Sequence, residues 1–445
     1  MLSAIARAFE KINIFLLSLV IATLFGTQSF ATFAVAMSYA LIIFSIVELG
    51  GQQLYTYFNR EVSELTPKSL NGAKSVLFML LLPLVFLCEA WLLTGLLAIA
   101  YFIESLSNSV RYQLFQGHFH KKEALLYLSE RLIWLLVIST LYGANYFSLA
   151  FDLSLTELFV FFCVLKWGYF ILYCRLSKGM AVNHRFNFNR QLYVNLLKHG
   201  KYFIISAFVA SVFMQVDILV FNWLGANEQE IALISAFVRL VTATFFISTV
   251  LQQYILPKFD RLQRDAVLFS RYQTYISYFA FFLTCSLMAL SDLYLLIFFG
   301  GKNIADGLPP YSGSFILLLV FSRFCRDPIS LYLGQNNKNK TKVKILAGTL
   351  PLKVLTVGLC YQFFDIAAGI IAIVIFDALV YWFFRYYTAF RNWDKNYLAG
   401  VFLLFCFSFV VVYLPLFSRI AIAVIGLTLA YLFFSKVTKP GVLFK

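Results

Sequence analysis

The residues of this 445-residue chain best placed to do chemistry sit where charge is expensive, inside apolar runs. Asp217 and Arg239 occupy neighbouring runs of the segment 201–257, which reads as two apolar helices joined by a short acidic turn. A charge at membrane depth is kept mainly where it faces a bundle interior, a partner or a wet cavity. At about 1.5 Å per helical residue, Asp217 falls about 10 Å inside the outer end of its helix, and Arg239 about 12–14 Å inside that of the next. Antiparallel neighbours would bring the two within about one turn of each other. Two readings follow: a permanent ion pair joining the helices, or a wet lumen where Arg239 meets an anion and Asp217 positions it or titrates. The same cost of lipid exposure makes Arg323, Lys166 and Lys353 further lumen candidates. Asp217, Asp377 and Glu48 are the candidates for ion coupling. Arg131 and Arg326 are expected to snorkel to the inner interface. On the eighth run, Ser235, Arg239, Thr242, Thr249 and Gln253 recur at three- and four-residue steps and so share one helix face.

Other chemistries find no pattern in these residues. There is no GxxxxGK[ST] loop to cradle ATP phosphates. His118, His120, His184 and His199 fall in inner loops, and the His118/His120 pair lacks a third ligand at metal spacing. No embedded carboxylate is paired with Ser or His as hydrolysis would need. The expectation is therefore no enzyme, no metal and no cofactor beyond a coupling H⁺ or Na⁺. The seven cysteines lie in or beside apolar runs without ligand spacing, and read as packing residues rather than a disulfide framework.

The elements that must position these charges are membrane helices. The chain is 61% hydrophobic and only 13% charged, with mean hydropathy +0.81, outside the range of soluble domains. Fourteen apolar runs are long enough to span, from 12–25 to 420–434, and the first is expected to be a retained helix rather than a cleaved leader. Loop charge tests that number. With the N-terminus inside, Lys302 and Arg419 are outside and Arg131, Lys166, Arg239, Arg323, Arg326 and Lys353 lie within helices; every other Lys and Arg falls on the inner side. The +15 formal charge thus reads as orientation in a membrane, with both termini cytoplasmic, and not as nucleic-acid binding. Outer loops are short and several carry acids, among them Glu157, Glu228, Glu230 and Asp365.

The halves look related. The segment beginning at Leu24 resembles the one beginning at Trp223: Gly26 aligns with Gly225, and Gln52–Gln53 with Gln252–Gln253. Such a parallel repeat commonly encloses a central site between two bundles. The expected organisation is a six-helix bundle over 1–175, a basic inner linker over 176–200, a second six-helix bundle over 201–390, and two additional helices with a tail over 391–445.

Three stretches carry a resemblance to a known family. These are LFGTQSFATFAVAMSYALIIFSIVELGG, FVASVFMQVDILVFNWLGANEQEIALISAFVRL, and YLGQNNKNKTKVK followed by DIAAGIIAI. Together with the topology, they resemble the polysaccharide flippases, the O-antigen (Wzx-type) and capsule branch of the multidrug/oligosaccharidyl-lipid/polysaccharide exporter superfamily. The resemblance covers nearly the whole chain. It implies two bundles in a V shape and alternating access in a bacterial inner membrane. It also implies a polyprenyl-diphosphate-linked oligosaccharide as cargo, and other polysaccharide-assembly proteins as partners. Asp217 and Arg239 fall in its second stretch. The lipid II flippase branch carries several arginines in its first helices, whereas none is expected inside the first four runs here. A drug/cation antiporter of the same superfamily is the alternative, ahead of a glycan polymerase or ligase, which the short outer loops disfavour.

Overall fold

The computed structural model describes residues 2–49, 67–116, 120–146, 154–177, 190–255, 265–299, 312–335, 338–388 and 395–438, and these are almost wholly helical. Helices α1 (2–25) and α2 (27–47) form one stretch, Leu2–Val47, broken at Gly26. The chain continues through α3 (Pro67–Leu81, tightening into a 3-10 segment Leu82–Leu87), α4 (Trp91–Gln116), α5 (His120–Tyr146) and α6 (Leu155–Ser177). Next come α7 (Arg190–Trp223), α8 (Glu228–Ile255) and α9 (Ala266–Ala289), which a 54° bend joins to the short helix Ser291–Phe299. The last are α10 (Ser312–Gln335), α11 (Asn339–Phe363), α12 (Ile366–Tyr386), α13 (Lys395–Val410, ending in the 3-10 turn Val411–Tyr413) and α14 (Leu416–Thr438). Among the described residues these make fourteen helices, with Leu2–Val47 counted as two and the bent pair as one, as the apolar runs require. Ten helical stretches among the described residues are long and apolar enough to cross a membrane, counting Ile12–Val47 as one, or eleven if the bent pair is a single span. The protein is an all-α, multi-pass membrane protein.

Local chemistry explains where the helices start and break. Gly26 adopts φ 82° and ψ 177°, a region that only glycine occupies readily, so α1 turns into α2 without a loop. Gly225 is the other glycine with positive φ among the described residues, at 79°. There the Ala226 N–H closes on the Phe221 carbonyl at 3.0 Å and ends α7 in a left-handed cap. These are the two glycines that the internal similarity aligns, so the repeat extends to a positive φ at both positions. Gln52–Gln53 lies outside the described residues. Several of the acids expected in outer loops cap helices. Ser154 and Glu157 form a reciprocal capping box at the start of α6, Asn227 and Glu230 form another at α8, and Asp365 accepts from the Ala368 N–H at α12.

The chain divides into two compact units, residues 1–9 with 28–219, and residues 10–27 with 220–445. Within the first, α4 packs on α3, α5 and α6, and α7 bonds to α2 through Ser38 to Gln215 and Ser211 to the Leu41 carbonyl. The boundary between the units falls inside α7; of the linker expected over 176–200, residues 178–189 lie outside the described residues. In the second unit α9 lies along α14, α12 packs on α10 and α11, and α13 packs on α9 and α10. The last two helices are thus part of that unit's packing rather than an appendage. A Cβ at Gly426 would stand 2.3 Å from Ser286 Oγ and 3.0 Å from the Phe282 carbonyl oxygen, so α14 meets α9 at backbone distance. None of the seven cysteines forms a disulfide.

Candidate functional site

In the first unit the buried charges form a continuous network built on one face of α4. Glu104, Ser105, Asn108, Arg111 and Tyr112 recur at helical spacing along that face. Glu48, at the end of α2, accepts from four side chains: Lys74 at 3.0 Å, Ser105 at 2.5 Å, Tyr112 at 3.1 Å and Asn108 at 3.4 Å. The Lys74 ammonium, fully buried, also donates to the Ser105 carbonyl at 2.7 Å. Directly after Glu48, Leu49 takes φ 55°, a conformation costly for a side-chain-bearing residue, and buries its side chain. Arg111 links Asn108 at 2.9 Å to Glu123 at 2.8 Å and lies 3.5 Å over the Tyr127 ring. Arg131 also approaches that ring, bonds to the Tyr127 hydroxyl, and reaches Glu104 at 2.5 Å. Lys166 completes the network between Glu104 and Glu130, the latter at 2.6 Å.

Four cations and four carboxylates therefore alternate through this unit: Lys74, Arg111, Arg131 and Lys166 against Glu48, Glu104, Glu123 and Glu130. Charges taken out of water are tolerable when each meets an opposite partner and hydrogen bonds fill the remaining valences. Lys166, read from sequence as a lumen candidate, is held by two carboxylates. Glu48, read as a coupling candidate, already accepts from four donors. Arg131 does not snorkel; it is 5% exposed and anchored to Glu104.

The second unit is arranged differently. Asp377 on α12, fully buried, accepts from Arg326 at 2.5 Å and more distantly from Arg323 at 3.4 Å. Both arginines sit on one face of α10, so Arg326 also does not snorkel. Lys353 on α11, equally buried, lies within electrostatic reach of Asp377. Next along α10, Asp327 accepts from Ser248 and lies near Lys342 at the start of α11. Two nitrogens of Arg323, Nε and Nη1, make no hydrogen bond although the residue is 1% exposed. Tyr397 on α13 bonds to Ser322 at 3.1 Å and stacks on Tyr381 of α12, so the thirteenth helix braces the cluster.

Asp217 and Arg239, the pair singled out by depth, belong to different units. Asp217 is buried in α7 of the first. Arg239 is buried in α8 of the second, within electrostatic reach of Tyr294, whose hydroxyl donates to the Ala236 carbonyl at 2.7 Å.

The sequence missed Lys74, Arg111 and Glu123 of the first network. Lys74 and Arg111 read as inner-side cations at helix ends; both lie on helices, and Arg111 places an arginine inside the span Trp91–Tyr112. The signal was present in the polar spacing of 104, 105, 108, 111 and 112.

No family model matches the chain, and no curated protein matches its sequence. Solved structures do. The lipid II flippase MurJ, in an inward closed conformation, superposes with TM-score 0.70 at 14% identity, covering 98% of both chains. An inward-facing multidrug resistance MATE family transporter of the MOP superfamily follows at 0.60 and 12% identity, over 90% of this chain and 95% of that one. A second MATE structure, in complex with MaL6, reaches 0.51 at 12% identity, covering 91% and 95%.

The chain shares their fold. At these identities the likeness establishes the architecture, and the work the architecture does must be argued from the site.

Proposed function

We propose that the protein is a transporter of the MOP superfamily that flips a polyprenyl-diphosphate-linked oligosaccharide, an O-antigen or capsule repeat unit, from the inner to the outer leaflet. The observation that carries this reading is the fold likeness to a lipid-linked substrate flippase over 98% of both chains. The chemistry of the task supports it. A diphosphate and a sugar head cannot cross hydrocarbon unaided, while a prenyl tail can stay in lipid. A helical protein with cations buried at membrane depth offers the head group a path. The buried cations Arg239, Arg323 and Lys353 suit an anionic cargo better than a cationic drug. In this reading Arg239 contacts the head group, and Asp217 is a candidate to carry a coupling ion. The loop charges support both termini inside, and residence in a bacterial inner membrane is what the family resemblance implies.

Deletion in the native host tests the reading: the lipid-linked oligosaccharide should accumulate on the inner leaflet while surface polysaccharide is lost. Unchanged surface polysaccharide together with a new sensitivity to cationic drugs would replace this reading with drug/cation antiport. In the same strain Arg239→Ala should insert in the membrane but fail to restore export.

A further inference from the structure

The buried cluster of α10, α11 and α12 differs from the first unit's network in one arginine. Arg323, Arg326 and Lys353 gather round Asp377, and Arg323 leaves Nε and Nη1 without a hydrogen bond at 1% exposure. A buried guanidinium with unfilled donors is among the costlier features a fold can retain. Buried donors of this kind are rare and call for a partner.

The geometry of a guanidinium narrows what that partner is. An oxyanion docks on arginine in a bidentate manner, using either the end face (Nη1 with Nη2) or the side face (Nε with Nη2). Both faces include Nη2, the nitrogen that Asp377 touches at only 3.4 Å. A bidentate oxyanion must therefore take over that contact, and Asp377 keeps its shorter bond to Arg326 at 2.5 Å. The helices that carry the cations also carry the means to open. Pro328 follows Arg326 by two residues in α10, and Pro351 precedes Lys353 by two in α11. An internal proline removes a backbone hydrogen bond at each place and loosens the helix there.

We propose that this cluster is a binding site for a phosphate-type oxyanion, with Arg323 as the principal contact and Lys353 in support, and that Asp377 is its built-in competitor. Asp377 is thereby reassigned: a carboxylate surrounded by three cations serves as an internal counter-anion and not as a cation-coupling group. Identifying the anion with the diphosphate of a lipid-linked glycan rests on the proposed function; the existence of the site does not.

The test uses the full-length protein in lipid nanodiscs, titrated separately with inorganic pyrophosphate and with a sugar-free polyprenyl diphosphate, and read by saturable binding and by the thermal unfolding midpoint. Wild type should bind at least one probe. Binding of pyrophosphate shows that the anion alone suffices, and binding of the lipid alone shows that the head group must arrive on its tail. Arg323→Gln should weaken binding by about tenfold or more. Asp377→Asn should strengthen it several-fold, because the competing carboxylate is gone. These opposite directions separate a ligand site from a structural ion pair, in which both variants would leave binding unmoved. If Asp377→Asn does not fold, Arg323→Lys, which keeps the charge and loses the fork, should fall between wild type and Arg323→Gln. Folded wild type that binds neither probe, or Arg323→Gln that binds as wild type does, overturns the proposal. Absent binding beside a genuine export defect on deletion would sink the site and leave the flippase. Firm binding beside normal export would do the reverse.

Discussion

The two units bury similar numbers of charged side chains and treat them in opposite ways. In the first, every cation of the α4 network meets at least one carboxylate, and Glu104, Glu130 and Glu48 each bridge more than one donor. In the second, Asp377 is shared by two arginines with a lysine near, and one arginine keeps unfilled donors. Balanced charge in a low-dielectric interior acts as a cross-link that ties α2, α3, α4, α5 and α6 together. A buried guanidinium with unfilled donors is costly, and such a group calls for a partner.

Mutations can break this contrast. Lys166→Ala, which leaves Glu104 and Glu130 facing a cavity, should have the largest effect, destabilising by about 3–5 kcal/mol in denaturant unfolding of the purified protein. Arg323→Gln removes the arginine with unfilled donors and leaves Asp377 with Arg326, so it should shift stability by about 1 kcal/mol or less in either direction. If the two variants cost the same, the contrast between the units is wrong.

Smaller effects sharpen the helix-level part of the comparison. Gly26→Ala should cost about 1–3 kcal/mol from φ strain alone, since an added Cβ there meets nothing within 4 Å. Gly225→Ala should behave similarly, as its own Cβ position is also open. A free substitution at one glycine and a damaging one at the other would argue against the two turns being equivalent. Ser154→Ala should be mildest, at about 1 kcal/mol, because it removes a single cap at α6. Thermal unfolding in detergent resolves all three, and none should alter anion binding.

What was legible in the sequence followed from local rules. Apolar run lengths and the sorting of loop charge specified fourteen helices, because each helix must satisfy its own backbone in lipid. The Ser154-x-x-Glu157 and Asn227-x-x-Glu230 spacings mark helix starts through chemistry confined to four residues. The pairing of Gly26 with Gly225 was visible because positive φ selects for glycine wherever it occurs.

Which charges meet was not legible. Helical periodicity reports the face on which a residue lies, but not which neighbouring helix that face meets. Lys166 therefore read as a candidate ligand contact, when packing of α4, α5 and α6 supplies it with Glu104 and Glu130. Lys74 read as an inner-side charge at a helix end, when α3 carries it to Glu48. By itself the sequence determined how many helices there are and which of them carry charge, because span length and charge sorting are properties of the chain alone. Only the tertiary structure decided that each cation of the α4 network meets a carboxylate while Arg323 keeps two unfilled donors, because pairing depends on which helix faces are brought together.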